Sequence, residues 1–331
     1  MHNFLSGLYM KIGNNYDIEN KLCGGLFGLL IGDAIGVPYE FKEKNEIRSQ
    51  DIDIIPKNLK NKTYPNVKFG TWSDDGAQSL ILLSSLLDNN SLNLTDFLNR
   101  LIKWLDTGYM SIDNYTFDVG IQTSMYLNTY KKKRKFEIEE SPNEYQNGNG
   151  SLMRCLPLAL WHTGSNHELI HLAHKQSLVT HPHLRSQVCC ALYCLIARNI
   201  LFGLSPKTAF EKSKREIISI YIKNSYFDAL NELENHILSY DMNKCHGSSY
   251  VVDSLMSALL CLNKRNYSDI VKMAISFGND TDTTACIAGG LAGITYGFRG
   301  IPNTWVSGLR GKEIVYPLLQ RLLETKYSYT K

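Results

Sequence analysis

Glycine falls at every fourth position twice in this chain, at Gly24, Gly28, Gly32 and Gly36 and again at Gly289, Gly293 and Gly297. Residues four apart share one face of an α-helix, so each set makes a smooth stripe along a helix. A glycine inside a helix costs about 1 kcal/mol relative to alanine, and close helix–helix approach is the gain that offsets a row of them. Packed antiparallel, the two stripes would lay the end of the first helix, Gly36–Glu40, beside the start of the second, Asp280–Thr283. Glu40 would then join Asp280 and Asp282.

Two short acidic runs acquire meaning from that pairing. Ser73-Asp74-Asp75 and Asp280-Thr281-Asp282-Thr283 lie far apart in sequence, yet each precedes an apolar stretch of helical period, Ala77–Leu87 and Thr284–Tyr296. Ser, Thr and Asp are ordinary helix caps, but one cap needs one oxygen, and two doubled runs exceed that need. Brought together, Glu40, Asp74, Asp75, Asp280 and Asp282 would repel one another by about 4 kcal/mol per ~4 Å pair at an effective dielectric of 20. Divalent cations or raised carboxyl pKa values must relieve this. With no His or Cys beside the runs, the donors are hard oxygens, which suit Mg²⁺, Mn²⁺ or Ca²⁺ rather than zinc. The simplest account is a two-metal site.

Other features constrain less. Asn147-Gly148-Asn149-Gly150 is a turn signal that can also present backbone amides to a diphosphate. His181-Pro182-His183 has the look of a metal pair, but the intervening proline argues against zinc. No Ser-His or Cys-His nucleophile set is apparent. Lys131-Lys132-Lys133-Arg134-Lys135 is followed at once by Glu137, Glu139 and Glu140, so the segment to Tyr145 reads as a solvated loop near the cleft rather than a nucleic-acid site.

Helical periodicity or composition also covers 92–105, 151–162, 167–178, 185–201, 206–221, 226–239, 249–262 and 267–275, and only Asp51–Ile55 alternates like a strand. One all-α domain of orthogonally packed helices is expected over residues 18–331, with residues 1–17 as an N-terminal extension. The 331 residues carry 44% hydrophobic and 20% charged residues and a formal charge of +3, too small to argue for nucleic acid. Eight scattered cysteines without zinc-type spacing read as buried thiols of a reducing compartment. The apolar run Leu22–Val37 is interrupted by Asp33 and too short to span a bilayer. A cytoplasmic, membrane-free protein is the expectation.

Seven blocks in order, GGLFGLLIGDAIGVPYEF, GTWSDDGAQSL, FDVG, NGNGSLMRCLPLAL, VTHPH, GSSYVVDSLMSAL and FGNDTDTTACIAGGLAGITYG, resemble the ADP-ribosylglycohydrolases from about Glu19 to Arg299. The resemblance implies an all-helical fold and hydrolysis of the bond between ADP-ribose and a modified protein side chain, most readily arginine, with two divalent cations, Mg²⁺ first and Mn²⁺ second. It implies metal ligation by Ser73, Asp74, Asp75, Asp280, Asp282 and Thr283, and an acidic residue near the metals and the scissile ribose at Glu40. Glu40, Asp74 and Asp75 all remain open as the general base. Asn149, Gly150, Ser151 and Met153 match a loop lining the ADP-ribose cleft, His181 a nucleotide contact, Asp118 a block at the substrate end, and Tyr250 a segment beside the adenosine.

Three positions depart from the family pattern: Ser73 for Thr, Gly76 for a Thr that would firm the helix start, and Asn279 for a common glycine. None removes a carboxylate. Some bacterial relatives neutralise ADP-ribosylating toxins, and an N-terminal arm can plug the toxin. A binding protein using residues 1–17 against a cognate toxin, with or without hydrolysis, is therefore the alternative.

Overall fold

The structure, a computed structural model, describes residues 16–59, 61–133, 142–143 and 145–328. Among them the regular elements are helices: α1 Tyr16–Gly36, α2 Asp74–Asn89, α3 Leu94–Thr107, α4 Ile121–Lys133, α5 Leu156–Trp161, α6 Asn166–Ser177, α7 Leu184–Leu201, α8 Pro206–Lys223, α9 Phe227–Glu232, α10 Val251–Cys261, α11 Tyr267–Ile275, α12 Thr281–Tyr296, α13 Asn303–Gly308 and α14 Lys312–Ser328. A single antiparallel bridge, Gly148 to Tyr250, is the only extended pairing among the described residues.

α1 is apolar all round and forms the centre, with Leu22, Leu26, Phe27, Leu29, Leu30, Ile31, Ala34 and Ile35 in the core. Residues 17–39 have the length and hydropathy of a bilayer-crossing helix, yet beyond the exposed Asp17 and a half-buried first turn or two they lie inside the molecule. The glycine stripes meet antiparallel, as their spacing predicts. A Cβ on Gly24 would stand 2.1 Å from the Gly293 carbonyl oxygen, one on Gly28 2.4 Å from that of Gly289, and one on Gly32 2.1 Å from that of Ala285. At the far end a Cβ on Gly36 would fall 2.3 Å from Asp282 Cα, and the Thr281 hydroxyl donates to the Gly36 carbonyl at 2.9 Å. Tyr267 of α11 closes the flank of this pair with a 2.7 Å hydrogen bond to the Gly28 carbonyl.

Several boundaries differ from the sequence pattern. The helix expected from Ser151 begins only at Leu156. Pro157 sits in its first turn, where a missing N–H costs nothing, and the preceding residues turn back on the Asn149 carbonyl. Asp51–Ile55 forms no strand. A 3₁₀ turn at Ser49–Asp51 leads into irregular chain that buries Ile52 and Ile54 and exposes Ile55, so alternation reports burial here without pairing. α4, α13 and α14 are additional; the Lys-rich end of α4 and Pro317 inside α14 obscure their period. Lys131 at the end of α4 pairs with Asp106, and residues 134–141 and 144 of the basic–acidic segment lie outside the described residues. So does most of the supposed arm at 1–17, of which Tyr16 and Asp17 form the first turn of α1. All eight cysteines are free thiols, six of them buried.

Candidate active site

Both acidic runs stand at helix N-termini, where the positive end of the helix dipole favours anions. Asp74 and Asp75 open α2, capped by the Ser73 hydroxyl, which accepts from the Asp75 amide at 3.3 Å. Asp280 occupies the N-cap position of α12 without a side-chain capping hydrogen bond, and Asp282 lies in its first turn. The contact of α1 with α12 carries Glu40 to the same place. The runs touch directly, since the Thr283 hydroxyl donates to Asp75 Oδ1 at 3.3 Å.

Together they floor a cleft of about 360 Å³, lined by Glu40, Asp74, Asp75, Asp118 and Asp280 with Thr283, Asn149, Gly150, Met153 and His181, and by no lysine or arginine among the described residues. Oxygens of Glu40, Asp118 and Asp282 lie within 4.8 Å of one another. Asp118, expected at the substrate end, thus belongs to the acidic cluster, in a left-handed backbone conformation (φ 57°). Burial first, and then the neighbouring carboxylates, push Asp74, Asp75 and Asp282 well above the usual carboxyl range, and Glu40 up to about 9. Asp280 is raised as well, again chiefly by burial.

Whether these residues suit a cation can be tested on their unsatisfied oxygens. Asp75 Oδ2 and Asp282 Oδ2 are buried without any hydrogen-bond partner. An unpaired buried acceptor costs about 1–3 kcal/mol, and more when charged. Two such atoms, one from each run, in an all-oxygen set with no facing cation among the described residues are the donors a hard divalent ion takes.

The remaining expected residues divide. Asn149 bridges the cleft wall to the floor, its side-chain amide donating to Asp280 Oδ2 at 2.9 Å and to the Ser254 hydroxyl at 2.9 Å. His181 faces the cleft with Nδ1 2.8 Å from the Thr180 hydroxyl, and burial pushes it down to about 3, so it is neutral. Gly150 is required beside it, because a Cβ would meet His181 Cε1 at 2.7 Å. Ser73 and Ser151 do not line the cleft; the Ser151 hydroxyl is buried and accepts from Ser177 at 2.8 Å. Tyr250 does not line it either, its hydroxyl accepting from Arg185 Nη1 at 3.2 Å while Ser249 takes the wall position. His183 turns away to cap α7, Nδ1 accepting from the Arg185 amide at 3.1 Å.

Three site residues escaped the sequence reading. Asp33, seen only as an interruption of an apolar run, accepts from the Ser73 amide at 2.9 Å and the Gly76 amide at 2.8 Å, so a carboxylate from α1 pins the start of α2. Gly76 therefore does not loosen that helix; a Cβ there would strike Trp72 at 2.7 Å. Arg154 is fully buried, donating to Gln78 Oε1 at 2.7 Å while Gln78 donates to Asp74 Oδ2 at 2.9 Å. Burial lowers Arg154 only to about 10, so it remains a cation behind the acids at neutral pH. The signal for Asp33 and Arg154 was a charge inside an otherwise apolar run.

Tyr64 is the third. Its hydroxyl stands 2.6 Å from Glu40 Oε2 and 2.7 Å from Asp118 Oδ1. One hydroxyl proton serves one acceptor, so the second contact requires a proton on a carboxyl. Tyr64→Phe is expected to lower turnover about tenfold or more, the usual cost of losing a hydrogen bond that orients a functional carboxylate. Unchanged turnover in a steady-state assay would reduce Tyr64 to a space-filler. The Asn279 departure is also explained: its φ of 59° is a left-handed conformation that glycine and asparagine both tolerate.

The fold and floor define an all-helical protein whose cleft gathers carboxylates from distant helix starts. A model of the family described as ADP-ribosylglycohydrolase matches residues 14–330. The chain belongs to that family. ADP-ribosylarginine hydrolase Tri1 of Serratia proteamaculans (strain 568) is 27% identical over 305 residues, covering 92% of this chain and 79% of the relative. ADP-ribosyl-[dinitrogen reductase] glycohydrolase of Rhodospirillum rubrum is 27% identical over 293 residues, covering 88% and 91%. A solved structure described as an ADP-ribosylglycohydrolase-related protein complex shares the fold, with a TM-score of 0.71 at 23% identity over 94% of this chain and 99% of its own.

Proposed function

We propose that this chain hydrolyses the glycosidic bond between ADP-ribose and a modified protein side chain, with arginine as the acceptor, in the cytoplasm. The observation that carries the reading is the meeting of the two acidic runs in one cleft, each contributing a buried, unpartnered oxygen, within a fold of this family. The arginine linkage is supported by the activity in the name of the Serratia relative.

Asp74, Asp75, Asp280, Asp282 and Thr283 would hold two divalent ions, Mg²⁺ by donor chemistry, with Glu40 and Asp118 adjoining. Ions bound there would orient the ribose hydroxyls and acidify a water. The bond breaks through an oxocarbenium-like transition state, whose positive charge the cleft acids stabilise. Glu40, ionised when cations lie beside it, would take the proton from the attacking water, held in position by Tyr64. Asn149 and Gly150 present the wall to the diphosphate, and neutral His181 packs beside the nucleotide. The experiment is release of ADP-ribose from arginine-modified and serine-modified protein, with Mg²⁺ and with EDTA. Release from the arginine adduct alone, abolished by EDTA, is expected; no release from either would sink the reading.

A further inference from the structure

Phe41 and Ile121 are large apolar side chains that the fold leaves 71% and 91% exposed, and both line the mouth of the acidic cleft. Large apolar side chains exposed at the mouth of a cleft point to an interaction site. Each follows closely on an acid of the floor: Phe41 is next to Glu40, and Ile121 is three residues beyond Asp118. Met125, 48% exposed, continues the Ile121 side one turn along α4.

Phe41 is held out deliberately. Its backbone is left-handed, φ 60°, a conformation that disfavours a bulky side chain. A two-way clamp fixes it, the Phe41 amide donating to the Asn279 carbonyl at 2.7 Å and the Asn279 amide to the Lys42 carbonyl at 2.8 Å. That clamp joins the loop after α1 to the residue preceding Asp280.

A cleft of about 360 Å³ lies near the small end of the ~300–1,000 Å³ range for small-molecule sites. A space of that size has no room for a polypeptide beside the sugar–nucleotide, so the chain attached to the modified side chain must rest on the rim. We propose that Phe41 and Ile121 are the lips that seat the polypeptide flanking the modified side chain, making the protein adduct a better substrate than the free amino-acid adduct. This rests on the hydrolase reading above.

The test compares kcat/KM of the wild type and the double variant Phe41→Ser/Ile121→Ser on two substrates: a protein mono-ADP-ribosylated on arginine, and free ADP-ribosyl-arginine. The expected result is a fall of about tenfold on the protein, mostly in KM, against no more than about twofold on the free adduct. Equal effects on both substrates, or none on either, would overturn the proposal. So would a change of oligomeric mass in the variant by light scattering, which would make the lips a contact between copies of this chain. A wild type inactive on both substrates would instead remove the hydrolase reading, an outcome the variants cannot mimic, and circular dichroism of the variant separates misfolding from lost docking.

Discussion

Asp75→Asn combined with Asp282→Asn is expected to abolish ADP-ribose release, by about a thousandfold or more, while making the metal-free chain more stable. The two effects have one origin. Asp75 Oδ2 and Asp282 Oδ2 are buried without partners amid other carboxyls, an arrangement that suits a bound cation and penalises its absence. Asparagine keeps the shape, removes an ionisable carboxyl at each position and offers amide donors to the acids that remain. The pH dependence follows. Glu40 is raised from the usual 4.5 to about 9 in the fold, so between those values the folded chain holds a proton that the unfolded chain releases. Stability is therefore greatest at the acid end of that window and falls as pH rises through it. Scanning calorimetry of EDTA-treated wild type from pH 5 to pH 9 should show a melting temperature falling by on the order of 5 °C, restored by Mg²⁺, and a shallower slope in the double variant. A flat metal-free profile would mean that the acids are not forced together as described.

Gly32→Ala is expected to destabilise the chain by about 3 kcal/mol or more. Intrinsic helix propensity predicts the opposite sign, a gain of about 1 kcal/mol, so the direction alone decides between packing and propensity. The new Cβ would sit 2.1 Å from the Ala285 carbonyl oxygen and 2.7 Å from its carbon, where no side chain can step aside. Relief requires α1 and α12 to part, and the equivalent contacts at Gly24, Gly28 and Gly36 resist that. Because Glu40 hangs from the end of α1, activity should fall along with the denaturation midpoint. A stabilised Gly32→Ala protein would refute the close seam.

The seam itself was legible because a glycine row has few reasons to exist, and its register carried Glu40 to the second acidic run without further information. The acidic runs were legible for the same reason, being more oxygen than capping needs. Asp118 was visible as a family position, but its place in the cluster depends on a left-handed turn and on Tyr64, which arrives from a loop with no regular period. Local patterns carry no record of such a crossing. Asp33 and Arg154 were hidden by their context, since a single charge in an apolar stretch reads as a flaw until its partners, Ser73 and Gln78, are brought to it. The late start of α5 was foreseeable from Pro157, whereas α14 was not, because a proline inside a helix of that length argues locally against the helix that tertiary packing nonetheless supports.

The α1–α12 seam fixes more than the fold. Where main chain rests on main chain, the distance between Glu40 and the second acidic run is set by atoms common to every residue, and drift among surrounding side chains leaves it unchanged. Substrate entry has to be accommodated by the loops, because the two central helices have nothing compressible between them. The chain thus separates a fixed chemical floor from an adjustable rim. New leaving-group preferences should be reachable by varying the loop residues around Tyr64 and Asp118 while those two are retained, with the catalytic spacing inherited intact.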